Sequence, residues 1–162
     1  MKAMDIGMRN ILLMLAYEGT AYKGWQRQSE LPTVQQILED ALEKILSHPV
    51  KVFGASRTDA GAHAEAQVAN FQTHRSIPLV GLQKALWSVL PEDIVVTGVE
   101  DAAFDFHARF HAKSRTYRYQ IWNQPIPDPF LAKRAYHVKE PLQVTVMRRA
   151  ARAFIGTHDF TS

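Results

Sequence analysis

Apolar residues recur along this chain in two rhythms, and the change from one to the other marks the elements. Arg9 to Tyr17 is a short, near-continuous apolar run ending at Glu18-Gly19, the pattern of a buried strand. A polar, glycine-containing loop follows from Glu18 to Pro32. Thr33 and Gln36 then form a capping-box pair ahead of Val34, Ile37, Leu38, Ala41, Leu42, Ile45 and Leu46, which recur at helical spacing until His48-Pro49. Val50–Ala55 and Ala66–Thr73 read as the next strands. Pro78 opens a second helix with Leu82, Ala85, Leu86, Val89 and Leu90 on one face, and Pro91 stops it. Ile94–Val99 reads as another strand.

Strand, helix, strand, strand, helix, strand is the order of a ferredoxin-like unit. The expected class is therefore α+β: a βαββαβ antiparallel sheet with both helices on one face. The opposite face of such a sheet is the one that nucleic-acid-binding modules of this shape use. Beyond it, Phe104–Ser114 is an irregular aromatic and basic stretch. Arg115–Trp122 predicts an additional strand, Asn123–Pro129 a proline-rich turn, and Val144, Met147, Ala151 and Phe154 a C-terminal helix closed by Gly156. The reading divides the chain at 1–102, the ferredoxin-like domain, and 103–162, the basic and aromatic strand with its helix.

Composition changes this picture little. At 162 residues and 46% hydrophobic, the chain can bury a core. It has no cysteine, which removes disulfides, thiolate metal sites and cysteine nucleophiles from consideration. The longest apolar run, Ile11–Ala16, is far short of a membrane span, and Met1–Asp5 lacks the features of a leader, so a cytoplasmic setting is expected. Net charge is only +3, yet Arg109, Lys113, Arg115 and Arg118 fall between His107 and Gln120 with no acid among them. Such a patch suits a polyanion, and equally a solvated surface. His63, His107 and His158 lack metal-ligand spacing, and neither a metal nor a cofactor is expected.

The candidate chemistry lies in Ser56-Arg57-Thr58-Asp59-Ala60-Gly61-Ala62-His63, between two expected strands. Gly61 lets the backbone turn sharply and present a carboxylate. Taken alone, Arg-Thr-Asp-x-Gly is also the composition of an ordinary turn. The octapeptide resembles the (G/S)-R-T-D-x-G-V-H signature of the TruA-type tRNA pseudouridine synthases, with Ala62 where valine is usual. Three further segments resemble that family in the same order: Tyr17–Gln28, then Asp105–Phe110 with Lys113–Tyr119, and Gly156–Ser162.

The resemblance implies that Asp59 is the catalytic nucleophile of an isomerase converting uridine to pseudouridine in the tRNA anticodon stem-loop, without a cofactor. It implies that Tyr117 stacks on the target base. Arg57, Thr58, Lys23, Trp25, Gln26, His63 and Arg109 are candidate substrate contacts. Arg57 would either fill the space left by an everted base or hold a phosphate. Tyr22 and Trp25 would either face the RNA or close the edge of the core. Family members are homodimers with a second ferredoxin-like half, which is expected to be absent here. The isolated chain is thus expected to have reduced or no activity, and the alternative function is a non-catalytic RNA-binding ferredoxin-like module.

Overall fold

The computed structural model describes residues 7–161. The residues read for a leader, and the terminal Ser162 of the last family-like segment, lie outside that range. Among the described residues the chain separates into two compact units, one ending at Thr116 and the other beginning at Tyr117. The division read from the sequence falls earlier, at 102/103.

The first unit is built on β1 (Arg9–Tyr17), α1 (Val34–Leu46), β2 (Phe53–Gly54), β3 (Ala64–Thr73), α2 (Leu79–Val89) and β4 (Ile94–Ala102). Its sheet has the order β2-β3-β1-β4, with every neighbouring pair antiparallel. That is the ferredoxin-like α+β architecture the element order predicts. Ile11, Leu13, Leu15 and Tyr17 alternate along β1 and point to one face, where they join Val34, Leu38 and Leu42 of α1 and Leu82 and Leu86 of α2 in one buried cluster. The apolar run of β1 is thus buried fully on one face and only partly on the other. The Thr33 hydroxyl caps α1 by accepting from the Gln36 N–H, and Ser47 ends it in a left-handed conformation.

Two expected strands are much shorter than the sequence suggests. Val50–Ala55 contributes only Phe53 and Gly54 to the sheet. Helix side chains claim the backbone just before them: the Val52 N–H donates to Glu39 Oε1 at 3.0 Å, and the Val52 carbonyl accepts from Gln35 Nε2 at 2.9 Å. Those groups are satisfied outside a ladder, so the strand cannot extend that way. In compensation, the strand expected over Ile94–Val99 runs on to Ala102.

The sheet face opposite the helices is not wholly open either. Asn10 and Asn70, each 2% exposed, meet there through Asn70 Nδ2 and Asn10 Oδ1 at 2.9 Å. Asn10 Nδ2 donates to the Ala103 and Phe106 carbonyls, and Asn70 Oδ1 accepts from the Ala108 N–H. These bonds fasten residues 103–108 across one end of the face the sequence reading leaves free for nucleic acid.

In the second unit, β5 (Ile121–Asn123) pairs in parallel with β6 (Tyr136–Val138), and α3 (Val144–Ala151) continues into a 3₁₀ turn, Arg152–Phe154. The strand expected over Arg115–Trp122 is therefore confined to its end. A strand exists by virtue of its ladder, and the pairing partner reaches only residues 121–123. Tyr117 and Tyr119, expected to alternate along that strand, lie in irregular backbone with 76% and 77% of their surface exposed. Gly156 ends the helical region at φ +115°, as its position in the sequence suggests.

Candidate active site

The segment linking β2 to β3 carries the Asp59 turn. The Ala62 N–H donates to the Asp59 carbonyl at 3.1 Å, and Gly61, the third residue of the turn, has φ +77°. A left-handed residue at that position is what a type II turn requires, which accounts for the glycine. The turn and the presentation of a carboxylate are therefore one feature. Asp59 and Arg57 are exposed, while Thr58 and His63 are half-buried.

The segment from Tyr17 to Trp25 wraps this turn and is bonded to it along its length. The Trp25 N–H donates to the Thr58 carbonyl at 3.0 Å, and the Gly61 N–H donates to the Tyr22 carbonyl at 3.1 Å. The Gly19 N–H donates to His63 Nδ1 at 3.0 Å. Glu18 Oε1 lies 3.5 Å from the same nitrogen.

Two glycines permit the close approach. A Cβ on Gly19 would lie 1.9 Å from the Ala62 carbonyl oxygen, and one on Gly24, at φ +86°, would lie 2.5 Å from the Thr58 carbonyl oxygen. From below, the Tyr17 hydroxyl bonds Thr58 Oγ1 at 2.8 Å, and Gln67 Nε2 donates to the Ser56 carbonyl at 2.7 Å. Gln67 is 5% exposed and lies on β3. The turn is held on all sides by groups other than the Asp59 side chain, so the carboxylate is presented on a fixed backbone.

The candidate substrate contacts divide on this geometry. Arg57, Thr58, Asp59 and His63 share the turn, with Lys23 exposed on the wrapping segment. Trp25 requires a correction: it is 2% exposed, with Gly54 against its indole, where a Cβ would fall 2.5 Å from the ring. Its ring closes the core and cannot offer a face to RNA. Gln26 donates to Gln35 Oε1 at 3.0 Å and so belongs to the polar cluster of α1. Arg109 is exposed on the segment fastened by Asn70, and Tyr117 belongs to the second unit.

Sequence reasoning missed Gln67. Its signal is a polar residue in register with Ala69 and Phe71 on the inward face of β3. It also missed Arg115 as a tie, whose guanidinium donates to the Ala55 carbonyl from Nε at 3.0 Å and Nη2 at 2.8 Å, at the start of the Asp59 segment. The three histidines have different partners: His63 bonds Gly19, His107 contacts two phenylalanine rings, and His158 bonds the Ile155 carbonyl.

Two tyrosines under the turn give the site an alkaline signature. Burial raises the pKa of Tyr17, with bonds to Thr58 and Gln67 opposing. Burial, and then the Asp93 carboxylate that accepts from its hydroxyl, raise that of Tyr22. A phenol whose pKa is higher folded than unfolded contributes stability that is complete below the unfolded value, about 10, and lost as pH rises above it. Urea midpoints should therefore hold level to about pH 9.5 and fall beyond it. A Tyr17→Phe/Tyr22→Phe double variant, although less stable at neutral pH, should show a shallower fall.

An antiparallel ferredoxin-like unit with an exposed aspartate on a pinned turn between its second and third strands defines an α+β class with a candidate acid at its loop tip. The chain belongs to the tRNA pseudouridine synthase family, whose pattern matches residues 13–111. It is similar to tRNA pseudouridine synthase A of Thermoanaerobacter sp. (strain X514), 45% identical over 96% of this chain and 64% of that protein. The protein of the same name from Acetivibrio thermocellus is 46% identical over 96% of this chain and 64% of its own length. That from Methylacidiphilum infernorum is 44% identical over 98% of this chain and 62% of its own. The chain thus spans a little under two thirds of the length of these relatives.

Proposed function

We propose that this chain carries the catalytic aspartate of a tRNA pseudouridine synthase, and that Asp59 is the nucleophile. The observation that supports this best is the exposed Asp59 on a turn fixed by its neighbours, in a chain whose relatives bear that name. In the reaction the bond between ribose C1′ and uracil N1 breaks and a bond from C1′ to C5 forms. N1 gains a proton and C5 loses one. Atoms are conserved, so no cofactor or energy source is consumed. A carboxylate that adds covalently divides this exchange into two easier steps, and C1′ or C6 of the uridine is a competent point of attack.

The uridine must leave its stack to reach Asp59, at a cost of roughly a few kcal/mol. Arg57, next to the carboxylate, fills the vacated space or holds a phosphate, and Tyr117 stacks on the everted uracil. Thr58, Lys23, His63 and Arg109 complete the polar and cationic surround. The substrate is tRNA, at uridines of the anticodon stem-loop, in a cytoplasmic homodimer.

The test is to incubate the chain with an unmodified tRNA transcript and read pseudouridine by mass spectrometry after cyanoethylation. Product supports the enzyme reading. A gel shift without product supports the RNA-binding module in its place, and neither product nor shift at low salt removes both.

A further inference from the structure

Three rings stand in a row on the first unit, outside the Asp59 turn. His107 lies between Phe53, at 4.6 Å between centroids and 43° between planes, and Phe110, at 4.4 Å and 38°. A cation sits over each outer ring: Lys51 Nζ is 5.5 Å from the Phe53 centroid, and the Arg109 guanidinium carbon is 6.0 Å from that of Phe110. Phe110 is nevertheless 75% exposed. A phenylalanine that contributes so little to the core, at the end of a line of tilted ring contacts and beside an arginine, has the features of a site awaiting one more planar ring.

We propose that the Phe53–His107–Phe110 row is a platform on which one unpaired base of an RNA stacks against Phe110, with Lys51 and Arg109 contacting the flanking phosphates. The inference deepens the proposed function, since it rests on RNA being the partner, but it concerns a nucleotide other than the reacting one. The occupant follows from the chemistry. Base–aromatic stacking tolerates any sequence because every base has a π face, and cations beside the rings complement a polyanion. An apolar protein partner would not call for a cation at each end of the row.

The platform is also built before any ligand arrives. His107 Nδ1 accepts from the Arg109 N–H at 3.2 Å, and the His107 N–H donates to His111 Nδ1 at 2.9 Å. Ala108, 2% exposed, is bonded to Asn70, and the Arg109 carbonyl accepts from Arg115 at 3.2 Å. Binding there orders little that is not ordered already, so stacking is retained as affinity. Phe53 lies on β2, which leads directly into the Asp59 turn, so an RNA strand seated on the row runs along the same edge of the sheet.

The experiment measures binding of a short fluorescein-labelled oligouridylate to this chain by anisotropy, across a salt series. Phe110→Leu, which keeps an apolar side chain but no π face, should weaken binding about tenfold or more, and Phe110→Trp should keep it within about twofold. Lys51→Ala/Arg109→Ala should make the salt dependence shallower, by about 0.7 in log–log slope for each phosphate no longer neutralised. Circular dichroism should be unchanged in all three. Equal affinity of Phe110→Leu and the parent overturns the proposal. So does the absence of any low-salt affinity in the parent. A Phe110→Leu effect on sedimentation with RNA binding intact also overturns it, in favour of a protein contact. The readout is equilibrium binding and needs no conversion of uridine, so a chain that makes no pseudouridine but shows the Phe110 effect separates this inference from the enzymatic one.

Discussion

Asp59→Ala should lower pseudouridine formation by at least about three orders of magnitude, while tRNA affinity stays within about threefold. The side chain being removed makes no hydrogen bond among the described residues; only the Asp59 carbonyl is engaged, by the Ala62 N–H. Its loss should therefore leave stability within about 0.5 kcal/mol, as for other unengaged surface residues. That combination, full folding and full binding with no product, is hard to obtain from a residue with a structural role. Asp59→Glu sharpens the test. It keeps the charge but moves the carboxylate by about one methylene, and a misplacement of about 1 Å can cost roughly a hundredfold. Glutamate should accordingly be a poor substitute. If Asp59→Glu or Asp59→Ala retains turnover near that of the parent, in mass spectrometry of cyanoethylated tRNA, another group supplies the nucleophile.

The second large effect concerns support of the turn. Gly24→Ala forces a side chain into backbone at φ +86° and sets a Cβ 2.5 Å from the Thr58 carbonyl oxygen. The strained conformation alone costs about 1–3 kcal/mol. The collision adds to it, because the atom struck is main chain and cannot swing aside. The Trp25 N–H bond to that same carbonyl would have to break or lengthen for the backbone to move. Melting should fall by several degrees at least, about 2–8 °C per kcal/mol for domains of this size range. Activity should fall further than stability predicts, measured where the variant is still folded. Gly61→Ala is the control. Its φ is +77° but a Cβ there meets nothing within 4 Å, so it should show the strain without the collision.

Periodicity made the first unit legible. Its helices and three of its strands follow from apolar spacing and caps, because in each the local pattern and the tertiary packing agree. Where they disagree, the sequence misleads. Val50–Ala55 has strand composition, but Gln35 and Glu39 on α1 take the hydrogen bonds of Val52, and nothing in the spacing of those polar residues reveals it. Arg115–Trp122 alternates like a strand, yet alternation is a property of the residues and a ladder is a property of two segments. The motif around Asp59 was visible as a whole, whereas its supports were legible unevenly. Tyr17, Gly19, Tyr22 and Gly24 lie in a segment that already resembles the family, but Gln67 is one polar residue in an apolar strand. Trp25 shows the limit of reading aromatic residues from sequence: an indole suits a nucleobase or a core equally, and here Gly54 is what leaves room for it inside.

Because main-chain atoms do most of the gripping between the Tyr17–Trp25 and Ser56–His63 segments, evolution has uneven freedom there. Exchanges at Ala60, whose side chain takes no part in the lacing, can accumulate among descendants without disturbing the acid's placement. A lineage that gave up Gly19 or Gly24 would lose it at a stroke, even with the aspartate intact. In separating working copies from decayed ones, those two glycines are as telling as the acid itself.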